Sequence, residues 1–118
     1  MKLITAIIRP EKLDDLIETL VDHQVHGLTV SEVRGFGRQF GEPAPGAGID
    51  LGLSRARKAA LLPKVRLDLV VRDVDADALV ELLAKHAGTG MIGDGKIWVC
   101  TVDSVLRVRT GERDRAAI

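Results

Sequence analysis

An α+β sandwich is the fold class this sequence predicts, and three observations predict it. Short apolar runs with strand-like alternation and apolar stripes at helical spacing succeed one another as strand, helix, strand, strand, helix, strand. Each half therefore reads as a β-α-β unit, and two such units make a ferredoxin-like sandwich in which two helices cover one face of a sheet. The 118 residues suit one domain, taken here as 1–118, and 46% hydrophobic with 29% charged residues is the composition of a globular chain.

The first strand is expected over Lys2 to Arg9, where Leu3, Ile4, Ala6, Ile7 and Ile8 are apolar. Pro10 ends it and suits the first turn of a helix, where its missing N–H costs nothing. Glu11, Asp14 and Asp15 then place negative charge where the helix dipole favours it. Leu13, Leu16, Ile17, Leu20 and Val21 form that helix's apolar stripe, with its stop expected near Gly27. From Leu28 to Gly37 alternation returns, and Gly35-Phe36-Gly37 strips side chains from the strand end.

Residues 41 to 52 hold four glycines and two prolines, so an exposed loop is expected at about 38–61, with Arg55, Arg57 and Lys58 as a basic patch. Loops this long without structure of their own usually have a function. Val65 to Val71 alternates as a further strand, with Val65, Leu67, Leu69 and Val71 on one face. Asp73 or Asp75 can cap a second helix with Leu79, Leu82, Leu83 and Ala87 as its stripe. Gly88 and Gly90 stop it, Ile97 to Val102 is the next strand, and Val105 to Val108 a short terminal one. Apolar residues also occupy the other face of the sheet, which points to burial against further subunits.

Composition excludes several classes. Seventeen basic and seventeen acidic residues cancel, so the general basic footprint of a nucleic-acid binder is missing. With one cysteine, Cys100, there is no intramolecular disulfide, and it is expected as a small core residue. No apolar run approaches the roughly 20 residues that span a bilayer, and no signal-peptide pattern is present, so a cytoplasmic location is expected. His23, His26 and His86 lack metal-ligand spacing and read as surface residues. No Ser-His-Asp arrangement or paired carboxylates in an apolar setting can be assembled.

The strongest local feature is Thr89-Gly90-Met91-Ile92-Gly93-Asp94-Gly95-Lys96. Glycines on both sides of Asp94 allow successive N–H groups to form a nest for phosphate oxygens, and Lys96 adds a cation. The same residues also make an ordinary tight turn. Arg107 and Arg109 alternate on the expected last strand, suited either to clamping a polyphosphate or to guarding an exposed edge. Gly35-Phe36-Gly37-Arg38-Gln39 offers close backbone approach, a guanidinium and an amide, or simply a bent strand end.

These segments together resemble the PII nitrogen-regulatory family. Gly93-Asp94-Gly95-Lys96-Ile97-Trp98-Val99 is similar to that family's carboxy-terminal signature. Met1 to Pro10, Gly27 to Val33, Gly35 to Gln39, Leu62 to Val65 and Arg107 to Arg113 resemble its other segments in order, so the likeness covers the chain except residues 40 to 61. The resemblance implies a homotrimeric, non-enzymatic signalling protein with ATP or ADP in clefts between subunits. Gly93, Asp94, Gly95 and Lys96 would hold phosphates, with Arg107 and Arg109 reaching across from a neighbouring chain. Gly35, Gly37 and Arg38 would contribute at the base of the loop, and Ile7, Thr29 and Val70 would line the adenine pocket. Gln39 and Lys64 match residues that hold 2-oxoglutarate on a nucleotide-bound Mg2+ ion, with Gln39 toward the metal. Ligand state would then set how the loop folds, and the loop would select a protein target.

The loop departs from the family pattern. The family's Tyr-Arg-Gly-Ala-Glu-Tyr-like motif carries a tyrosine that accepts a nucleotidyl group, and this chain has no tyrosine at all, which rules that modification out. The loop is several residues longer, and Gly46 to Asp50 matches the motif poorly. Met91 stands where a basic residue is common, and Glu11 where an aromatic is. Two other readings stay open on these grounds: a related nucleotide sensor serving bicarbonate or metal-ion transport, and a slow ATP hydrolase with no base to nominate beyond Asp94.

Overall fold

The computed structural model describes residues 1–37 and 61–118. The expected loop at about 38–61, with Arg38 and Gln39 at its base, lies outside the described residues except for Leu61. Within them the elements run β1 (Lys2–Ile8), α1 (Leu13–Asp22), β2 (Thr29–Gly35), β3 (Leu62–Val71), α2 (Asp73–Ala87) and β4 (Lys96–Thr101). The four strands form an antiparallel sheet in the order β2-β3-β1-β4, the arrangement expected of a ferredoxin-like sandwich.

The period of 2 decides which face is covered. Ile4, Ala6 and Ile8 of β1 and Val65, Leu67, Leu69 and Val71 of β3 are buried against Leu16 and Leu20 of α1 and Ala76, Leu79, Leu83 and Ala87 of α2. The alternate residues face away from the helices. Rungs across that open face place Lys96, Ile7, Arg66 and Ser31 in one row and Trp98, Thr5, Asp68 and Thr29 in the next. Thr5 is fully buried there and donates to Asp68 Oδ1 at 2.6 Å, while Arg66 grips the same carboxylate at 2.8 and 3.1 Å.

Several sequence expectations are corrected. Pro10 opens a 3-10 turn, Pro10–Lys12, and the α-helix proper begins at Leu13. That helix stops before Gly27: Gln24 takes φ +60°, and Val25 N–H reaches back to Leu20 O at 3.0 Å. A Schellman-type end is thus made with glutamine at the left-handed position. Neither Asp73 nor Asp75 caps α2, whose N-cap is Arg72 with no side-chain cap bond. Their carboxylates are engaged elsewhere, Asp75 with Arg72 at 2.6 Å and Asp73 with the terminal ammonium at 3.0 Å.

β3 starts earlier than expected and includes Pro63. At that position it pairs with Arg34 of β2 only, because β1 joins from Val65 onward, so the missing proline N–H disturbs no ladder bond on the β1 side. Val105 to Val108 is not a strand of the sheet. The segment folds back on itself through one bridge, Leu106 to Arg113, with Arg107 N–H on Glu112 O at 2.9 Å and Gly111 N–H on Arg107 O at 2.8 Å. A 3-10 turn, Asp114–Ala117, follows. Cys100 is exposed rather than in the core, because β4 is an edge strand and Cys100 lies on the open face.

Candidate functional site

An open cleft of about 820 Å3 lies where the ends of β1, β2 and β3 meet the segment leading into β4. Ile7, Gly35, Gly37, Lys64, Gly93, Asp94, Gly95 and Lys96, all expected from sequence, line it together. Leu62, Phe36, Met91, Ile92 and Trp98 add apolar surface that sequence did not assign to a site. Ile7 and Lys96 are brought side by side by the β1–β4 register, and Lys64 faces Val33 on β2.

The turn from Thr89 to Gly95 is organised around one carboxylate. Asp94 Oδ2 accepts the N–H groups of Thr89 at 2.6 Å and Gly90 at 2.9 Å, and its Oδ1 accepts the Thr89 hydroxyl. Arg9, at the end of β1, donates from Nε to Asp94 Oδ1 at 2.9 Å and from a terminal nitrogen to Ile92 O at 2.7 Å. Lys64 donates from Nζ to Gly93 O at 2.5 Å. The side chain of Asp94 is therefore spent on shaping the turn, so any part it takes in holding a ligand runs through that shape. Gly95 has φ +97°, and a Cβ there would sit 1.7 Å from Ile7 O, so β1 and the turn touch through bare backbone.

The charges are set by these contacts. The Thr89 hydroxyl first, then Arg9, hold the Asp94 carboxyl well below the usual carboxylate range. Partial burial, then the neighbouring Arg9, lowers the Lys64 ammonium from its ordinary value, with Glu11 and Asp94 opposing. Lys96 is exposed, and among the described residues its ammonium has no hydrogen-bond or ion-pair partner.

Acid should expose the part that Asp94 plays. Its folded pKa lies below the unfolded value of about 3.9, so the native state binds fewer protons between the two. The stabilisation is complete above the unfolded pKa and is lost as pH falls through the folded one. Thermal melts of wild type and Asp94→Asn should differ most at neutral pH, begin to converge as pH falls below about 4, and meet only in strong acid. A gap that stays constant down to strong acid would show that Asp94 charge is not what holds the turn.

Four expected residues lie elsewhere. Thr29 starts β2 and pairs with Asp68, and Val70 pairs with Leu3 at the far end of the sheet. Val70 lies four residues along β3 from the rung of Ile7 (roughly 13 Å at the usual rise), so Ile7, Thr29 and Val70 do not form one pocket within a chain. Arg107 is paired with Glu112, and Arg109 sits in the turn of the terminal segment without a partner among the described residues. They share no strand face, because the segment folds on itself. Arg38 and Gln39 lie outside the described residues. Sequence reasoning missed Arg9, whose only signal is a cation closing an apolar strand before Pro10.

Among the described residues no helix is long and apolar enough to cross a membrane, and no cluster of three or more His, Cys, Asp and Glu side chains could hold a metal ion.

The family model of the nitrogen regulatory protein P-II matches residues 1–112. The chain is 48% identical over its full 118 residues to nitrogen regulatory protein P-II 2 of Methanothermobacter thermautotrophicus, covering 97% of that protein. It is 44% identical to nitrogen regulatory protein GlnK and 47% identical to nitrogen regulatory protein P-II 1, both of Escherichia coli K12, over all of this chain and all of each relative. With a family match over residues 1–112 and relatives 44–48% identical along the whole chain, the chain belongs to the P-II nitrogen regulatory protein family.

Proposed function

We propose that this chain is a nitrogen-regulatory signalling protein, not an enzyme, that takes ATP or ADP in its cleft and acts on a protein target through segment 38–61. The observation that carries the reading is the unpartnered Lys96 ammonium beside a turn whose carbonyls at Ile92 and Gly93 are already taken by Arg9 and Lys64. A cation and a backbone free of competing acceptors suit phosphate oxygens. Ile7, Phe36 and Trp98 offer the apolar surface a base needs, and a cleft of about 820 Å3 lies within the usual range of ligand sites.

The cleft is one-sided within a single chain. Thr29, Val70, Arg107 and Arg109 do not line it, and the open face of the sheet, which mixes Ile7, Val70 and Trp98 with Arg66 and Asp68, has neither helix over it. A homotrimer in which each neighbour brings those residues to the next chain's cleft resolves both facts. Gln39 and Lys64 remain the proposed contacts of Mg2+ and 2-oxoglutarate. The regulatory names of relatives similar along their whole length favour nitrogen control over another signal.

The test is calorimetric titration with ATP and with ADP, each with Mg2+, with and without 2-oxoglutarate. Saturable nucleotide binding that 2-oxoglutarate strengthens is expected. Nucleotide binding indifferent to 2-oxoglutarate would move the protein to another signal, and no binding would remove the cleft as a nucleotide site. Nucleotide turnover abolished by one cleft substitution would instead make it an enzyme.

A further inference from the structure

We propose that Arg9 is a positioning residue for nucleotide phosphate, acting through the peptide between Ile92 and Gly93; the proposal rests on the reading of the cleft as a nucleotide site. Arg9 does not line the cleft, and its side chain is only 17% exposed. It makes two contacts with the turn, one to Asp94 and one to the Ile92 carbonyl.

The second contact fixes a direction. Among the described residues no peptide bond is cis, so the Gly93 N–H lies antiparallel to the Ile92 C=O in one rigid plane. That carbonyl is drawn to Arg9, which is not among the residues lining the cleft, so the Gly93 N–H points the opposite way, and Gly93 itself lines the cleft. The next peptide is occupied at both ends: Gly93 O accepts from Lys64, and Asp94 N–H closes a turn onto Met91 O at 3.4 Å. Among the described residues the Gly93 N–H has no backbone acceptor. It is thus a donor that the turn leaves for a ligand, next to the unpartnered Lys96.

Arg9 can act on this peptide without being needed for the turn itself. Without its guanidinium, Asp94 keeps the two N–H groups and the hydroxyl that close the turn. The Ile92 carbonyl, by contrast, loses its side-chain donor. Gly93 sits at φ +101°, and glycine tolerates the dihedral change of a rotated peptide at little cost. Arg9 therefore selects one orientation of a peptide that otherwise has two.

The experiment compares wild type, Arg9→Met and Arg9→Lys by calorimetric titration with ADP and ATP, and by following backbone amide resonances as ADP is added. In Arg9→Met the dissociation constants should rise roughly tenfold, the loss of about one charged hydrogen bond, with Arg9→Lys recovering part of it. The Gly93 amide should shift on ADP addition in wild type and not in Arg9→Met, while the Thr89 and Gly90 amides stay at their folded positions in both. Equal affinity in wild type and Arg9→Met would overturn the proposal. So would a loss of affinity accompanied by collapse of the Thr89 and Gly90 resonances, since Arg9 would then only hold the turn together. Wild-type protein that binds neither nucleotide would overturn the nucleotide reading, and this inference with it.

Discussion

Gly95→Ala should destabilise the protein by about 3 kcal/mol or more, the upper end of what a single backbone conflict costs. Two penalties coincide at this position. At φ +97° an L side chain is strained whatever space surrounds it. In addition, the new Cβ would lie 1.7 Å from Ile7 O and 2.7 Å from Ile7 C, both backbone atoms of the buried strand β1. A flexible side chain could swing away from such a contact, but a paired strand cannot. Relief must come from moving the turn off β1, which separates Lys96 from Ile7 and opens the cleft. The melting temperature should fall by roughly 10 °C or more at fixed protein concentration, by the usual scaling of midpoint with stability. Gly111→Ala is the control: it also has positive φ, but nothing lies within 4 Å of its Cβ, so it carries the conformational cost alone. Equal melting temperatures for the two variants would show that contact with β1 is unimportant.

Lys96→Ala should leave the fold intact and weaken nucleotide binding by about 1.5–3 kcal/mol, the range for hydrogen bonds to charged groups. In dissociation constants that is roughly a 10- to 150-fold increase. Lys96 is the reverse case of Gly95. The Lys96 ammonium has no partner among the described residues, so removing it orphans no buried group and empties no core. Its aliphatic stem lies on the open face at the start of β4, opposite Ile7. The melting temperature without ligand should stay near that of wild type, so any lost affinity is a ligand effect. An unchanged dissociation constant would take Lys96 out of the site. Together the two variants separate the glycine that builds the cleft from the lysine that serves it.

Most of the fold was legible because its signals are local. The alternation of Val65, Leu67, Leu69 and Val71 and the stripe of Leu13, Leu16 and Leu20 reflect the periods of strand and helix themselves. The misreadings were also local in kind. Gly27 was the obvious helix stop, yet Gln24 took the left-handed position three residues earlier. Asp73 and Asp75 had the chemistry of caps, but a cation stood within reach of each and engaged its carboxylate. Val105 to Val108 alternated like a strand, and alternation does not say which partner it pairs with; here the partner was the next few residues.

By itself the sequence determined the fold class, the candidate phosphate turn at Thr89 to Lys96, and, through the absence of tyrosine, the exclusion of nucleotidyl transfer to that residue. Tertiary structure alone decided which side chains meet. Arg9 reaches Asp94 across 85 residues of chain and Lys64 reaches Gly93 across 29, contacts set by strand register rather than by any periodicity. It also parted Ile7 from Thr29 and Val70, and left Cys100 on an open edge strand. The physical reason is that periodicity fixes which face of an element a residue occupies. Where along that face it finds a neighbour depends on the register between strands far apart in sequence.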